Sequence, residues 1–469
     1  MKRRLRVYKK TVSIVNETAT GMYESLVGDK KGFLLESYDK NYDRYTFFGK
    51  EPEEIISSRG NALVITKNDG TQEVRNGNPL ERLKEYYSEF DIVKDNEELS
   101  FSGGLVGNLG YDFVRYAEVL PDNNPDEIGI ETVQMMLMTK FIMVDHVAET
   151  LTGIILGEDT PEGREKSLEE AEELIRQALA NKGRAPEKNF THDGVIVNQS
   201  DSLEQYSQKV EKIKEYIREG HIFQTVLSQR WTIETKQSGF ELYKELRELN
   251  PSPYLYYFNY GDFEVIGSSP EMIVKQQGNR VYTCPIAGTR KRGADAEEDA
   301  LLRDELLQDE KERAEHVMLV DLARNDMGRI SEFGTVKVTQ FMEVQNYSHV
   351  MHIVSMVEGR KKGEFHPLDL VSSFLPAGTL SGAPKIRAME IIDELESVRR
   401  GLYGGATGYI DFSGDMDFCI TIRTMIKKGN RVYLQAGAGI VADSVPENEY
   451  QECCNKVMAL AKTLMHYIH

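Results

Sequence analysis

A chain of 469 residues with 57 basic against 76 acidic side chains, a formal charge of −19 and 40% hydrophobic residues has the make-up of an ordinary soluble globular protein with a substantial core. Its acid excess works against DNA or RNA as a partner, because phosphate neutralisation needs clustered Lys and Arg. The length predicts about three domains, or one large α/β unit with a smaller companion.

The N-terminus, MKRRLRVYKK, is basic, but residues 11–20 lack the apolar segment of a signal peptide or anchor. The most apolar stretch, residues 135–144, is interrupted by Lys140 and falls short of the roughly 20 residues that span a bilayer. A cytoplasmic location without a membrane partner is expected. Residues 34–155 form short apolar runs split by Gly, Asn, Asp and Pro, the pattern of strands and turns with few helices. Within them GGLVGNLG, at 103–110, has neither GxGxxG nor the P-loop Gly-Lys-Ser/Thr, and reads as a turn or a close-packing segment.

A helix is predicted over 167–182, with Ser167 and Glu170 as a capping box and Leu168, Ala171, Ile175 and Leu179 on one face. Polar, aperiodic residues 183–200 read as a linker between an N-terminal region, 1–185, and a C-terminal region, 186–469. A second helix is predicted over 202–219, with Tyr206, Val210, Ile213 and Ile217 on one face and Gly220 as its stop. An extended segment, 223–233, follows, and then helices and strands alternate to the end. The cysteines Cys284, Cys419, Cys453 and Cys454 lack CxxC spacing, which predicts free thiols, the first two in strands and the last two in a helix.

Glu312 and Glu315 sit three apart in a helical pattern over 301–322, so both carboxylates project from roughly one face. Glu449 and Glu452 repeat the spacing after Ser444-Val445-Pro446-Glu447, a capping box with Pro in the first turn, and Lys456 lies one turn beyond. Two such helices could meet around a hard divalent ion, since Mg²⁺ takes oxygen ligands, or each pair could be a solvated face. Between them lies Pro376-Ala377-Gly378-Thr379-Leu380-Ser381-Gly382-Ala383-Pro384-Lys385, too rich in Gly and Pro for an element interior. It is either a tight turn or a loop whose N–H groups and Thr379 hydroxyl face an anion. Gln435-Ala436-Gly437-Ala438-Gly439, after an apolar strand at 432–434, would let a ligand approach the backbone closely. His352 heads an apolar run and reads as a structural residue or as an acid or base. Arg423 ends an apolar strand over 419–422 and reads as a surface charge or as a bidentate grip on a carboxylate.

Pro285-Ile286-Ala287-Gly288-Thr289-Arg290, Asp321-Leu322-Ala323-Arg324-Asn325-Asp326, the 376–385 loop, Tyr403-Gly404-Gly405-Ala406-Thr407-Gly408-Tyr409 and the 435–439 segment, in this order, closely resemble the chorismate-utilising enzymes. The resemblance extends from Leu34 to Lys456 and implies an α/β assembly of two packed antiparallel sheets flanked by helices. It implies Mg²⁺ held by Glu315 and Glu452, with Glu312 and Glu449 engaging its water shell. The ring carboxylate would meet the metal, Lys456 and the backbone near Thr379, beside Gly288 and Thr289. Tyr403, Arg423, Gly437, Ala438 and Gly439 would receive the enolpyruvyl carboxylate. Glu271 matches the general acid for the departing C4 hydroxyl, and His352 the histidine that assists the later elimination.

Family members that add water carry a lysine base where this chain has Gln224, an amide that cannot take a proton from water at neutral pH. Ammonia needs no such base, so the resemblance points to amination. Ala287 stands where many 4-amino-4-deoxychorismate-forming members, the nearest alternative, carry a lysine that attacks the ring. Leu34-Leu35-Glu36-Ser37 and Asn250-Pro251-Ser252-Pro253-Tyr254, with Leu255 next, resemble the two segments that bind feedback tryptophan in the anthranilate-forming branch. The N-terminal region is thus expected to contribute to a tryptophan site and to partner docking. A bare strand and turn is the plain alternative for these segments. With no Gly-x-Cys-x-Gly elbow, the chain is expected to take ammonia from a separate glutamine amidotransferase subunit. A non-catalytic amino-acid sensor would have no use for the four glutamates, His352, Thr379, Arg423 and Lys456.

Overall fold

The computed structural model describes residues 2–15, 17–37, 44–94, 99–180, 190–347 and 350–465. Among these, two large sheets form the scaffold, one of thirteen strands and one of twelve. The larger begins at the edge strand Val195–Gln199, continues through Gln224–Glu234, Arg431–Ile440, Thr424–Lys428, Glu264–Ser269, Tyr254–Asn259 and Gly32–Glu36, and ends at Phe90–Val93. The smaller runs from Ile286–Lys291 through Val350–Arg360, Met272–Gln277, Met416–Ile420, Ala406–Asp411 and Gly104–Leu109 to the edge strand Gln72–Asn76. Pairing is antiparallel except between Arg3–Ser13 and Phe90–Val93. Strands from both sides of residue 185 share each sheet.

The sheets meet through Phe33, Phe47, Tyr256 and Val265 of the larger and Val106, Met136, Tyr409 and Cys419 of the smaller. Burying one such aromatic side chain is worth roughly 2–3 kcal/mol. On the outer face of the larger sheet, Leu203–Arg218 and Pro446–Ala461 seat Tyr206, Val210, Ile213, Cys453 and Val457 on Leu227, Trp231 and Ile233. On the outer face of the smaller, Glu310–Ile330 and Pro367–Phe374 bring Val320, Met327, Leu368 and Val371 onto Ile273, Val281 and Val357.

The helix expected over 202–219 is Leu203–Arg218, closed by the capping box of Ser202 and Gln205, and Gly220 takes φ +79° behind it. Other expectations shift. The helix expected from 167 starts at Pro161, because Thr160 caps it and Pro161 is preset for its first turn, so Ser167 is a buried interior residue and no cap. Val195–Gln199, inside the expected linker, is a strand on Gln224–Glu234, and residues 183–189 lie outside the described residues. The glycine-rich 103–110 segment is mostly a buried strand, Gly104–Leu109, where close packing rather than a turn demands glycine. A Cβ at Gly107 would come 2.2 Å from the Gln134 carbonyl.

The continuous helix expected over 301–322 is two, Ala296–Gln308 and Glu310–Ile330. Asp309 separates them because its carboxylate caps the second, accepting from the N–H groups of Lys311 at 3.0 Å and Glu312 at 3.1 Å. The cap expected at Ser444 does not form. Pro446–Ala461 starts after Val445, and the Ser444 hydroxyl accepts from the Val441 N–H at 3.1 Å. Cys284 lies just past the strand Arg280–Thr283 rather than in it, and all four cysteines are free. The basic N-terminus is a strand whose Arg3 pairs with Glu54 and whose Arg4 and Arg6 pair with Asp159. Among the described residues no helix is long and apolar enough to cross a membrane.

Candidate active site and regulatory cavity

The chain passes from the larger sheet to the smaller at Pro270-Glu271, between Glu264–Ser269 and Met272–Gln277. It returns at Ile422-Arg423, between Met416–Ile420 and Thr424–Lys428. The two crossovers are stitched together: the Ser268 N–H donates to the Arg423 carbonyl at 3.1 Å, and the Ile420 N–H to that of Glu271 at 2.9 Å. Arg423 adopts φ +49°, a left-handed conformation that costs a residue other than glycine energy and recurs where function demands it.

Glu271 is 8% exposed, and the Thr379 hydroxyl donates to its carboxylate at 3.2 Å. Burial outweighs that bond and the nearby charges of Arg423 and Lys456, pushing the carboxyl up to about 8, so it holds its proton at neutral pH. Arg423 shows the reverse: burial lowers its pKa, and Glu271 only partly opposes this. Thr379 rides on the turn Gly378–Leu380, and Lys385 anchors the far end of the loop to Asp326 at 2.8 Å.

His352, also 8% exposed, lies on Val350–Arg360 opposite a bulge in Ile286–Lys291. At the bulge Gly288 takes φ +66° and turns its carbonyl to His352 Nδ1, 2.8 Å away, while the Thr289 hydroxyl stands 3.1 Å from the same nitrogen. A carbonyl only accepts, so Nδ1 carries the proton and Nε2 keeps its lone pair. Burial lowers the imidazole pKa to about 4, leaving a neutral ring.

Helices Glu310–Ile330 and Pro446–Ala461 bring the acid pairs to one cleft. Burial raises the Glu315 pKa, and the charges of Glu312 and, across the cleft, Glu452 raise it further. The Glu449 pKa is raised by burial and then by Glu452. Lys456 Nζ lies 2.7 Å from the Glu452 carboxylate and donates to the Gly437 carbonyl at 2.9 Å, and Arg290 comes within 3.6 Å of Glu312. Among the described residues no three acids, histidines or cysteines close on one point as a ligand set. The oxygen-only donors and their mutual repulsion nonetheless fit a hard divalent cation.

The floor of the cleft is the face shared by Gln224–Glu234 and Arg431–Ile440. A Cβ at Gly437 would come 3.0 Å from the Tyr403 hydroxyl, and one at Gly439 would come 2.7 Å from the Gln224 amide, so both glycines keep the floor open. Ala438 alternates to the opposite face, where its methyl joins the helix-side core, leaving only its backbone for a ligand. The structure therefore gathers Glu271, Thr379, Arg423, His352, the four acids, Lys456 and the two glycines around one cleft. Sequence reasoning missed the buried pair Glu396–Arg400 beneath it, whose i, i+4 spacing looks like any solvated pair.

A separate cavity lies beside the strands Gly32–Glu36, Tyr254–Asn259, Met272–Gln277 and Met416–Ile420. Glu36, Ser37, Pro253, Tyr254 and Leu255 all line one cavity of about 780 Å³, joined by Arg44, Lys94, Lys275 and Asp417. Arg247 holds Glu36 at 3.0 Å, Lys275 pairs with Asp417 at 2.8 Å, and the Tyr254 hydroxyl donates to Asp417 at 2.9 Å. Leu255, 1% exposed, packs with Leu34 in the helix-side core.

A model of the chorismate binding enzymes matches residues 33–462. Anthranilate synthase component 1 of Acetivibrio thermocellus is 45% identical, covering 96% of this chain and 93% of its own, and that of Aquifex aeolicus is 43% identical, covering 92% and 88%. The crystal structure of anthranilate synthase component I from Streptococcus pneumoniae superposes with a TM-score of 0.78 at 39% identity, over 89% of this chain and 92% of that one. A menaquinone-specific isochorismate synthase from Escherichia coli, 18% identical with a TM-score of 0.73 over 98% and 95%, shares the fold.

Proposed function

The chain belongs to the family of chorismate binding enzymes, and from that premise we propose that it aminates chorismate with ammonia, releasing anthranilate, pyruvate and water, as component I of an anthranilate synthase. Arg423, Tyr403 and the open backbone at Gly437 and Gly439 receive the enolpyruvyl carboxylate. Lys456 and the loop around Thr379 receive the ring carboxylate. Glu315 and Glu452 would hold Mg²⁺, with Glu312 and Glu449 on its water shell, and the ion would withdraw electron density from the ring carboxylate.

Hydroxide leaves poorly, so the C4 oxygen must be protonated as it departs. Glu271, protonated at neutral pH and oriented by Thr379, supplies that proton while ammonia bonds to C2. In the resulting 2-amino-4-deoxyisochorismate, His352 Nε2 takes the C2 proton as the C3–O bond breaks and pyruvate leaves. The backbone carbonyl of Gly288 fixes the tautomer this requires. The observation that carries amination over hydration is Gln224, 5% exposed beside Gly439, where activation of water would need an amine. Ala287 supplies no amine for covalent attack on the ring, which favours anthranilate over 4-amino-4-deoxychorismate.

Ammonia comes from a separate glutaminase subunit, and the 780 Å³ cavity takes tryptophan as feedback inhibitor. Incubating the chain with chorismate, Mg²⁺ and ammonium chloride at alkaline pH, then separating products by chromatography, tests the reading. Fluorescent anthranilate and an equal amount of pyruvate are expected, with no turnover when glutamine replaces ammonium. Accumulated 4-amino-4-deoxychorismate would transfer the chain to the folate branch.

A further inference from the structure

Just past the helix Lys385–Leu395, Glu396 and Arg400 stand four residues apart, and at an exposed surface they would make only a weak ion pair. Here they are 5% and 3% exposed, with Arg400 Nη2 2.6 Å and Nε 2.9 Å from the carboxylate. A buried pair holds only when its remaining donors and acceptors are satisfied. Arg400 donates to the Leu380 carbonyl at 2.6 Å and to that of Val226 at 2.9 Å, and Glu396 accepts from the Ser228 N–H at 2.8 Å and hydroxyl at 2.7 Å. The guanidinium also lies 4.5 Å from the ring centre of Tyr111 and 5.6 Å from that of Tyr403. Burial works against its charge, but Glu396 and the two tyrosines more than offset it.

Each partner belongs to a different part of the cleft. Leu380 follows Thr379 on the acid's loop. Val226 stands opposite Gly439 and Ser228 opposite Gly437, on the strand that Gln224 begins. Tyr403 sets its hydroxyl against Gly437. Four of the five guanidinium N–H donors of Arg400 are taken up by Glu396, Leu380 and Val226, so Arg400 works through these groups.

Resting on the amination reading above, we propose that Arg400, locked by Glu396, is a positioning residue for the first half-reaction. It fixes the spacing between the Thr379–Glu271 acid and the Gln224–Gly439 floor where ammonia meets the ring. His352, on the other sheet, lies outside this clamp, so the elimination half-reaction should not depend on it.

Arg400→Lys keeps the charge, but a single ammonium lacks the planar fork that serves Glu396 and two carbonyls at once. With conversion of chorismate and ammonium to anthranilate measured per folded molecule, a fall of about 100-fold is expected, the cost of roughly 1 Å of misplacement. It should be carried by kcat, with KM for chorismate within about threefold. Conversion of supplied 2-amino-4-deoxyisochorismate to anthranilate should stay within about threefold of the parent, because the clamp spares His352. A merely structural role would lower both half-reactions together, and that result, or an overall rate within about twofold of the parent, overturns the proposal. Should Arg400→Lys fail to fold, Ser228→Ala, which removes one hydroxyl from Glu396, decides: about a fivefold loss confined to the first half-reaction supports the clamp, and parental rates or equal losses in both overturn it. A parent chain that makes no anthranilate would instead sink the functional reading, whatever the variants do.

Discussion

In the cleft, Glu271 and Glu315 have their pKa values raised and Arg423 and His352 have theirs lowered, each chiefly by burial. Around the 780 Å³ cavity the charges are matched: Glu36 lies against Arg247 and Tyr243, Lys275 against Asp417, Arg44 against Asp145. Both sites use the same pair of sheets, yet one keeps its charged groups strained and the other settles them. Strain is what chemistry needs, since a protonated carboxyl and a neutral imidazole are poised to exchange protons, whereas a binding site gains by selecting a ligand without disturbing it.

The comparison breaks most easily at the acids. Glu315→Gln combined with Glu452→Gln should lower turnover on the order of 10⁴-fold and abolish Mg²⁺ binding in a calorimetric titration. The fold should not suffer. Because the Glu315 carboxyl is raised in the folded chain, its charge is disfavoured at neutral pH, and a neutral amide should leave Tm unchanged or slightly higher. Retained turnover and Mg²⁺ binding would remove the metal assignment and, with it, the reason for the strain.

Glu271→Gln comes next, with an expected loss of about 10²–10³-fold, the worth of a general acid. The pH profile sharpens the point. A carboxyl raised to about 8 donates below that pH and loses its proton above it, so kcat/KM at fixed free ammonia should fall as pH rises through about 8. His352, already neutral above about 4, adds no limb near neutrality. The variant should lack the alkaline limb, and the same limb in variant and parent would assign the proton to another group.

What was legible in the sequence follows from how local the signal is. Glu312 with Glu315, Glu449 with Glu452 and Lys456, and Gly437 with Gly439 depend only on the period of a helix or strand, and those spacings survive in the structure. The Asp309 break was hidden because the charged run 309–313 suits the interior of a helix as well as a cap, and only in the fold does the Asp309 carboxylate accept from two N–H groups. The edge strand Val195–Gln199 was hidden because its neighbour, Gln224–Glu234, lies beyond an intervening helix. The crossovers that seat Glu271 and Arg423 side by side join residues some 150 positions apart, here Ser269 with Ile420 at a separation of 151, which no local period reports. Glu396 and Arg400 went unnoticed for another reason: an acid and a base four residues apart ordinarily stay in water, and only the fold buries them.

The smallest effect on catalysis is expected in the cavity, and it is the sharpest test of the contrast. Ser37 follows the strand Gly32–Glu36 and lines the 780 Å³ space opposite Pro253 and Tyr254, so a phenyl ring at this position has room without overpacking. Ser37→Phe should raise the tryptophan concentration for half inhibition by about tenfold or more, the worth of about 1.4 kcal/mol of lost binding. Because the charged groups around the cavity pair with their own neighbours and not with the groups of the cleft, kcat and KM for chorismate should stay within about twofold of the parent. Calorimetry should find tryptophan binding lost in Ser37→Phe but kept in Glu315→Gln, the mirror image of their turnover. Inhibition that persists unchanged in Ser37→Phe would place the inhibitor elsewhere, and a matching fall in turnover would show that the two regions share their electrostatics after all.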